Sequence, residues 1–135
     1  MHNIDNREVK VLVSADTYSA ALNPAGTDIS NFEGNFLLHF NATIATAGTL
    51  TPTLQHNSVA AAGDAGWAAV PAAVIVNPET GEEQALTSVS GAAGTNTAQT
   101  RSIVRQRVKR YVRLALAVPA GTGEVAAFIV GQKKY

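Results

Sequence analysis

The clearest pattern in the chain is an alternation of side chains between residues 111 and 118. The large apolar residues take every second position: Val112, Leu114, Leu116 and Val118. The positions between them hold the remaining residues: Tyr111, Arg113, Ala115 and Ala117. Because successive side chains of a β-strand point to opposite faces, this spacing predicts a strand with one buried face. Residues 101–108 predict a preceding strand whose open face carries Arg101, Ile103, Arg105 and Arg107.

The same alternation predicts strands earlier in the chain. In residues 7–13, Val9, Val11 and Val13 share one face, which we expect to be buried. Residues 35–44 alternate with an apolar set of Phe36, Leu38, Phe40, Ala42 and Ile44. We expect this strand to be central. Residues 50–55 alternate as well, and the short segment 46–49 predicts a hairpin between the two strands. Pro52 predicts an edge position or a bulge there, because proline cannot donate to the ladder.

The remaining segments predict short strands separated by turns. Residues 71–76, 85–89 and 124–130 are expected to be strands, whereas 90–100 and 119–123 are rich in loop and turn residues. Residues 16–29, with Pro24, predict a connection holding at most one short turn of helix. About eight short strands with little helix predict an all-β fold, an antiparallel β-sandwich of jelly-roll or immunoglobulin-like connectivity. A small closed barrel is the alternative.

Length and composition indicate how the chain is organised. Its 135 residues fit one sandwich domain, which we expect to span 1–135 with 1–6 and 131–135 as terminal arms. There is no cysteine, which excludes disulfides, thiolate metal sites and cysteine nucleophiles. The sequence shows neither the pattern of a signal peptide nor an apolar run long enough for a membrane helix. We therefore expect a soluble protein made in a cytoplasm.

Charge is distributed unevenly along the chain. Residues 1–100 hold nine of the ten acidic and two of the ten basic residues, a net charge of −7, and residues 101–135 balance it. Either the two parts neutralise each other within the fold or between copies, or the basic part docks on an acidic partner. The candidate interface residues are the tyrosines and, apart from Arg101, the cations of the basic part: Arg105, Arg107, Lys109, Arg110, Tyr111, Arg113, Lys133, Lys134 and Tyr135.

Motifs for catalysis or cofactor binding are not found in the sequence. The histidines are scattered, and His39 on a strand face is expected to be a hydrogen-bonded surface or interface residue. No nucleophile elbow, phosphate loop or metal-ligand spacing occurs. We therefore predict no enzyme activity, no catalytic residue, no metal, no cofactor and no small-molecule substrate. Nucleic-acid binding is disfavoured by the zero net charge and by the few aromatics beside the cations, and carbohydrate binding by the few aromatics overall.

A resemblance to known proteins adds to this interpretation. The segments F-L-L-H-F-N-A-T at 36–43, T-L-T-P-T-L-Q-H at 49–56 and K-R-Y-V-R-L-A-L at 109–116 occur together with Gly66-Trp67. This arrangement, covering about residues 36–130, resembles small virion structural proteins of tailed bacteriophages, in particular head decoration (cement) proteins. Such proteins are β-sandwich modules that sit on the outside of the capsid, often as trimers.

The resemblance implies a function and a location. It implies a protein that binds the major capsid protein and copies of itself and stabilises the capsid, located on the phage head surface after synthesis in the bacterial host cytoplasm. It implies no membrane partner. Another virion component, such as a head fibre or a tail module, stays open, as does a nucleic-acid- or carbohydrate-binding β-domain.

Overall fold

Two long strands, β3 (Phe32–Asn57) and β8 (Tyr111–Lys133), lie antiparallel to each other along nearly their whole lengths. In the computed structural model, which describes residues 6–134, their pairing extends from Phe32 opposite Lys133 to Asn57 opposite Tyr111. The two strands form a ribbon on which every other strand except one is assembled.

The ribbon bends near its middle, where the pairing of β3 with β8 shifts register between Ile44 and Thr51. Two glycines permit the bend. A Cβ on Gly48 would overlap the backbone of Ala120, and one on Gly121 would overlap the backbone of Thr46 and Ala47. Gly121 also has a φ of 75°, a conformation that side chains with a Cβ rarely adopt. Close backbone approach therefore requires glycine on both strands of the bend.

The other strands extend the two halves of the ribbon. In one half, β1 (Arg7–Tyr18) pairs with β8 and β7 (Asn96–Ile103) pairs with β3, while β5 (Ile75–Val76) adds to β7. In the other half, β2 (Thr27–Asp28) pairs with β8, while β4 (Ala68–Ala69) and β6 (Val89–Gly91) pair with β3. Two single-turn 3-10 helices cover Ala72–Val74 and Arg105–Arg107. Within residues 6–134, no helix is long and apolar enough to cross a membrane.

The two halves share a single hydrophobic core. The first half of β3 contributes its predicted apolar face: Phe36, Leu38, Phe40, Ala42 and Ile44. The second half of the ribbon contributes Leu50, Leu54, Leu114 and Leu116 to the same cluster. The sheet is therefore folded over on itself around one core, and the predicted all-β, antiparallel, sandwich-like fold is confirmed.

Both predicted turns of the ribbon are wrong. Residues 46–49 and 119–123 do not reverse the chain, because each continues within one long bent strand. The strands predicted to form a local hairpin, 35–44 and 50–55, both pair with β8 instead. Small and glycine residues suit a bend as well as a turn, and the partner strand that distinguishes the two lies far along the sequence.

The predicted buried face of β1 is wrong for Val9 and Val11 and correct for Val13. Val9 and Val11 are 61% and 60% exposed, whereas Leu12 and Val13 are both buried. The pairing with β8 shifts register between Val11 and Val13, so a bulge turns two consecutive side chains toward the core. The alternation of side-chain directions along the strand is interrupted at that point.

Other predicted boundaries differ from the structure. Residues 85–88 are not a strand, and the segment 90–100, predicted as loop, contains parts of β6 and β7. Residues 72–74 are 3-10 helix, and only 75–76 of the strand predicted over 71–76 form one. Residues 16–18 belong to β1, and residues 131–133, expected in an arm, complete β8. Pro52 pairs with Leu116 of β8 on one side. On its other side it has no partner, because β6 pairs only with residues 48–50 and β4 only with residues 55 and 56, so its edge position is confirmed.

Candidate interaction surfaces

Four segments of the chain meet at one end of the sandwich. The start of β1 meets the end of β8, where the Lys133 amide donates to the Asn6 carbonyl at 2.8 Å. The β2–β3 connection and the first residues of β3 meet the 3-10 helix that follows β7, where the Arg105 amide donates to Asn35 Oδ1 of β3 at 3.3 Å. The Lys134 amide donates to the Asn31 carbonyl at 2.9 Å and joins the two pairs of segments. We call this region the basic end, because it carries eight of the ten cations of the chain: Arg7, Lys10, Arg105, Arg107, Lys109, Arg110, Lys133 and Lys134.

Two of the predicted interface arginines, Arg110 and Arg105, form hydrogen bonds to other residues of the basic end. Arg110 donates to both carboxylate oxygens of Asp28, with Nη2 2.9 Å from Oδ2, and its guanidinium lies 5.2 Å from the Tyr111 ring centroid. This hydrogen bond, helped by the Ser30 amide, holds the pKa of Asp28 well below its ordinary value. Arg105 donates to the carbonyls of Ile29 at 3.2 Å and Val108 at 3.4 Å. These contacts join the β2–β3 connection to the segment before β8.

Arg113, a third predicted interface residue, lies inside the protein. Its side chain is 6% exposed, and it donates to Gln55 Oε1 at 2.7 Å and to the carbonyl of Ala62 at 2.9 Å. Its guanidinium also lies 4.3 Å from the Trp67 ring centroid. Burial lowers the pKa of Arg113. The side chain therefore fastens the 57–67 loop to the sheet.

Arg101 does not lie on an open strand face as predicted. It is 7% exposed and donates to the carbonyls of Gln84 at 3.0 Å and Ala85 at 3.1 Å. Its neighbour on the same face, Ile103, is completely buried. This face points to the core because Arg101 and Ile103 lie opposite Leu38 and Phe36, which are core residues in the first half of β3. Arg101 anchors the segment that carries Gln84 and Ala85.

The remaining predicted cations project from the basic end. Arg107, Lys109 and Lys134 are exposed and Lys133 is half-exposed. Among residues 6–134 the one ion pair is Arg110 with Asp28, and these four side chains make no hydrogen bond. Tyr135, the last predicted interface residue, lies outside the described residues. The structure thus places the exposed cations of the predicted interface together at the basic end, whereas Arg113 is buried.

The outer face of the β1–β8–β3–β7 half is a second surface, which sequence reasoning missed. Val9, Val11 and Phe128 are three of the four large apolar side chains that are exposed among the described residues. The His39 ring stacks on Phe128 with 4.8 Å between centroids, and its Nδ1 is 3.0 Å from Thr100 Oγ1. The predicted hydrogen-bonded surface role of His39 is confirmed. Alternation in residues 7–13 did reveal an apolar face, but it could not show that the face is exposed.

A shallow groove continues this outer face toward the bend. It has a volume of about 400 Å³ and is lined by two carboxylates, three amide or hydroxyl side chains and three small apolar residues: Ala15, Asp16, Thr17, Asn41, Thr43, Glu124, Val125 and Ala126. Within the described residues no group of three or more histidine, aspartate or glutamate side chains is placed to hold a metal ion. The groove therefore offers acidic and hydrogen-bonding groups at a surface.

The other described histidine serves the fold. His56 is 9% exposed, and its Nδ1 accepts the Lys109 amide at 3.1 Å. Burial, helped by the charge of Lys109, lowers the pKa of His56. A neutral ring with its proton on Nε2 fits this acceptor role.

The fold and these surfaces define a class: a small all-β domain with a cationic end and an apolar outer sheet face. No family model matches the chain, and no curated protein matches it. Solved structures do resemble it. The SPBc2 prophage-derived protein YomS has a TM-score of 0.53 at 9% identity, over 97% of this chain and 96% of that chain.

Two further structures resemble the chain more distantly. A Bacillus endospore appendage protein, from a family of disulfide-linked pili, has a TM-score of 0.47 at 14% identity over 99% of this chain and 98% of that chain. A chain of infectious bursal disease virus, Gx strain, has a TM-score of 0.49 at 11% identity over 93% of this chain and 32% of that chain. Of the three, the likeness to YomS is the one above 0.5, and at 9% identity it shows a shared fold.

Proposed function

We propose that this protein is a structural component of a virion and that it decorates the outside of a phage head by binding the major capsid protein through the basic end. The observation that carries the proposal is the group of outward-facing cations, Arg107, Lys109, Lys133 and Lys134, for which residues 6–134 supply no carboxylate. The fold shared with a prophage-derived protein supports a phage origin.

The geometry narrows the set of residues that a capsid would contact. A solvent-exposed cation contributes about 0–1 kcal/mol through an ion pair, whereas truncating a charged group that is hydrogen-bonded in an interface costs about 2–5 kcal/mol. Arg113 and Arg105 are already bonded within the monomer. We therefore assign the capsid contact to Arg107 and Lys109, which lie two residues apart in the exposed segment before β8. Lys133 and Lys134 extend the same charged end.

The proposal includes no catalytic step and no cofactor. The described histidines are engaged in structural contacts, His39 with Phe128 and Thr100 and His56 with Lys109. Binding and stabilising a shell requires only a rigid domain with complementary surfaces.

The test is co-sedimentation of the purified protein with empty heads that lack it. We expect wild-type protein to bind and the double variant Arg107→Glu, Lys109→Glu to lose at least about 90% of its binding, since each reversal adds a repulsion to the lost attraction. Glu82→Lys is the matched control, because Glu82 is exposed and lies in the loop after β5. Binding should weaken as salt is raised, as expected for exposed charges.

Three outcomes would contradict the proposal. Wild-type protein that stays in the supernatant with heads but sediments with tails would make it another virion component. Binding of the wild type to DNA of any sequence, lost in the same double variant, would make the basic end a nucleic-acid surface. Undiminished head binding by the double variant would remove the basic end from the contact.

A further inference from the structure

We propose that the side chains of Lys10 and Asn31 join spontaneously in an isopeptide bond, with Glu8 as the proton carrier of the reaction. The bond would tie β1 covalently to the connection between β2 and β3. The inference does not rest on the proposed function, because it concerns the chemistry of the isolated chain.

Three polar side chains meet on the side of β1 that faces away from the exposed Val9 and Val11. Glu8 and Lys10 are two residues apart in the strand and therefore point to the same side. The Asn31 amide lies between them. Its Oδ1 accepts a hydrogen bond from the Lys10 ammonium at 2.9 Å, and its Nδ2 donates to Glu8 Oε2 at 2.7 Å.

The orientation of the Asn31 amide follows from its two partners. An ammonium group only donates hydrogen bonds and an ionised carboxylate only accepts them, so the amide oxygen must face Lys10 and the amide nitrogen must face Glu8. This orientation places an amine nucleophile beside the carbonyl group. It also places a carboxylate beside the nitrogen that would leave.

The nucleophile is close to the carbon that it would attack. Lys10 Nζ lies at most about 4.1 Å from Asn31 Cγ, because the hydrogen bond of 2.9 Å ends on an oxygen about 1.2 Å from that carbon. Reactive conformers hold the two atoms about 3–3.5 Å apart. A small rotation of the flexible lysine side chain is therefore enough to bring Nζ from beside the carbonyl oxygen to a position over the carbon.

The surroundings hold the lysine in this place. Lys10 lies opposite the completely buried Ile129 of β8, and its Nζ is 5.1 Å from the ring centroid of Phe32, which is 1% exposed. The ammonium also donates to the carbonyl of Asp28. Well-oriented groups within one molecule react with effective concentrations of about 10⁵–10⁸ M. An unactivated amide can therefore react here although it is inert toward free amines.

The reaction is a transamidation in which atoms and charge balance. Lys10 first gives a proton to water, because only the uncharged amine has a free electron pair. Attack of Nζ on Asn31 Cγ moves the π electrons of the carbonyl to Oδ1 and brings Nζ onto the same carbon as Nδ2, within reach of Glu8. The Glu8 carboxylate takes the surplus proton from Nζ and passes it to Nδ2. The carbonyl then re-forms, the Cγ–Nδ2 bond breaks and ammonia leaves, taking up a proton from water.

Succinimide formation is the competing reaction that also expels ammonia from an asparagine. In that reaction the backbone nitrogen of the following residue attacks the side-chain carbon. At Asn31 this nitrogen belongs to Phe32, and its N–H donates to the carbonyl of Ile29 at 3.0 Å. The backbone amide is therefore held by another acceptor, whereas the Lys10 amine is directed at the Asn31 side chain.

The test is mass spectrometry of purified full-length protein after incubation at neutral pH. We expect the wild type to be lighter than its sequence by one ammonia. Cleavage after glutamate and before aspartate then releases residues 9–15 and 28–33 as separate peptides if no bond has formed. The isopeptide bond joins these two peptides. A wild type that has lost no ammonia, or whose two peptides are separate, would overturn the proposal.

Two conservative variants test the assigned roles. Lys10→Arg keeps a cation that can donate to Asn31 but provides no amine nucleophile, so it should yield no joined peptide. Glu8→Gln can still accept the Asn31 hydrogen bond but cannot carry a proton, and we expect it to form the joined peptide at least about 100-fold more slowly. Lys109→Arg is the matched control, since Lys109 is exposed at the basic end, and it should react as the wild type does.

Circular dichroism spectra verify that all three variants remain folded. Loss of ammonia that persists in Lys10→Arg would come from a succinimide and would contradict the proposed bond. Joining of the two peptides in Glu8→Gln at the wild-type rate would equally refute the proposed reaction. None of these readouts requires heads, so they are independent of the test of head binding.

Discussion

At the scale of single residues, Arg101 and Arg113 are cations that act as internal hydrogen-bond donors. Their side chains are 7% and 6% exposed, and backbone carbonyls are their main acceptors. A guanidinium holds several donors in one plane and is more weakly hydrated than an ammonium, so it suits this role better than lysine does. The two arginines attach loops to the sheet by contacts that need no carboxylate.

Replacing Arg113 by lysine should therefore be costly although charge is kept. A lysine ammonium lacks the planar set of donors that lets the Arg113 guanidinium bond the Gln55 side chain and the Ala62 carbonyl together. Because at least one of these acceptors would lose its donor, we expect the free energy of unfolding to fall by about 1–3 kcal/mol. The fluorescence of Trp67, the only tryptophan of the chain, should shift as well, because the guanidinium lies on its ring. Denaturant unfolding measures the first effect and emission spectra the second.

Arg107→Lys is the control for this change. Arg107 is exposed and its side chain has no bonded partner within 6–134, so its replacement should alter stability by less than about 0.5 kcal/mol. Equal stability of the two variants would show that the Arg113 contacts do not hold the 57–67 loop.

His56 should make stability depend on pH. Its pKa in the folded protein lies below its ordinary value of 6.5, so the unfolded chain binds more protons in the range between those two values. The contribution of His56 is therefore fully present above about pH 6.5 and is lost as the pH falls below it toward the folded-state pKa. Urea unfolding at about pH 7.5 and pH 5.5 should show this loss.

The variant His56→Gln isolates that effect. It cannot titrate, so the difference in unfolding free energy between the two pH values should shrink even if the variant is less stable overall. The pair of Asp28 with Arg110 does not interfere, because the lowered pKa of Asp28 affects stability below its ordinary value of 3.8. An unchanged pH difference in the variant would assign the dependence to other groups.

At the scale of elements, the bend in the β3–β8 ribbon decides the architecture. It lets two strands serve both halves of the sandwich, and the core-facing side of β8 changes there from Val112, Leu114 and Leu116 to Val125, Ala127 and Ile129. The register shifts between Ile44 and Thr51 accommodate that change of face. The bend has therefore to be stable for the two halves to share a core.

Gly121→Ala should be strongly destabilising. Alanine at this position would have to keep the positive φ, which costs about 1–2 kcal/mol for a residue with a Cβ. Its Cβ would also overlap the backbone of Thr46 and Ala47, which adds about 1–3 kcal/mol. Gly34→Ala provides a matched control, because Gly34 has nearly the same φ, 73°, with no atom within 4 Å of a Cβ. Chemical denaturation should thus show a clearly smaller loss for Gly34→Ala. Equal losses would mean that close approach at the bend is unimportant.

At the scale of the whole molecule, the fold depends on contacts between distant parts of the sequence. β1, near the start of the chain, pairs with the last part of β8, and both halves of β3 depend on β8. Because one core connects all of these strands, unfolding should be a single cooperative transition.

A chain that ends at Val118 should not fold. It lacks the part of β8 that pairs with β1 and with the first half of β3, so their apolar faces would have no cover. Circular dichroism is expected to show a disordered spectrum without a thermal transition. A chain shortened only by residues 134 and 135 keeps β8 complete and should retain the native spectrum. A cooperatively melting fragment 1–118 would show that these residues fold without the last part of β8.

The sequence by itself determined the class of the fold and the part of the core that lies on two strands. Alternation in residues 35–44 and 111–118 identified Phe36, Leu38, Phe40, Leu114 and Leu116 as buried, because local periodicity reports which side chains share a face. It also located six of the eight cations that form the basic end, since their concentration in residues 101–135 is visible without any coordinates, whereas Arg7 and Lys10 join them only through the fold.

Only the tertiary structure decided which faces are covered and which strands are partners. Periodicity cannot distinguish a face packed on the core from an exposed one, so Val9 and Val11 were expected inside and lie on the outer surface. Arg113, on the polar side of its strand, is buried because the loop carrying Ala62 and Trp67 folds over it. Pairing of β3 with β8 joins residues that are far apart along the chain, and no local signal at Gly48 or Gly121 separates a bend from a turn.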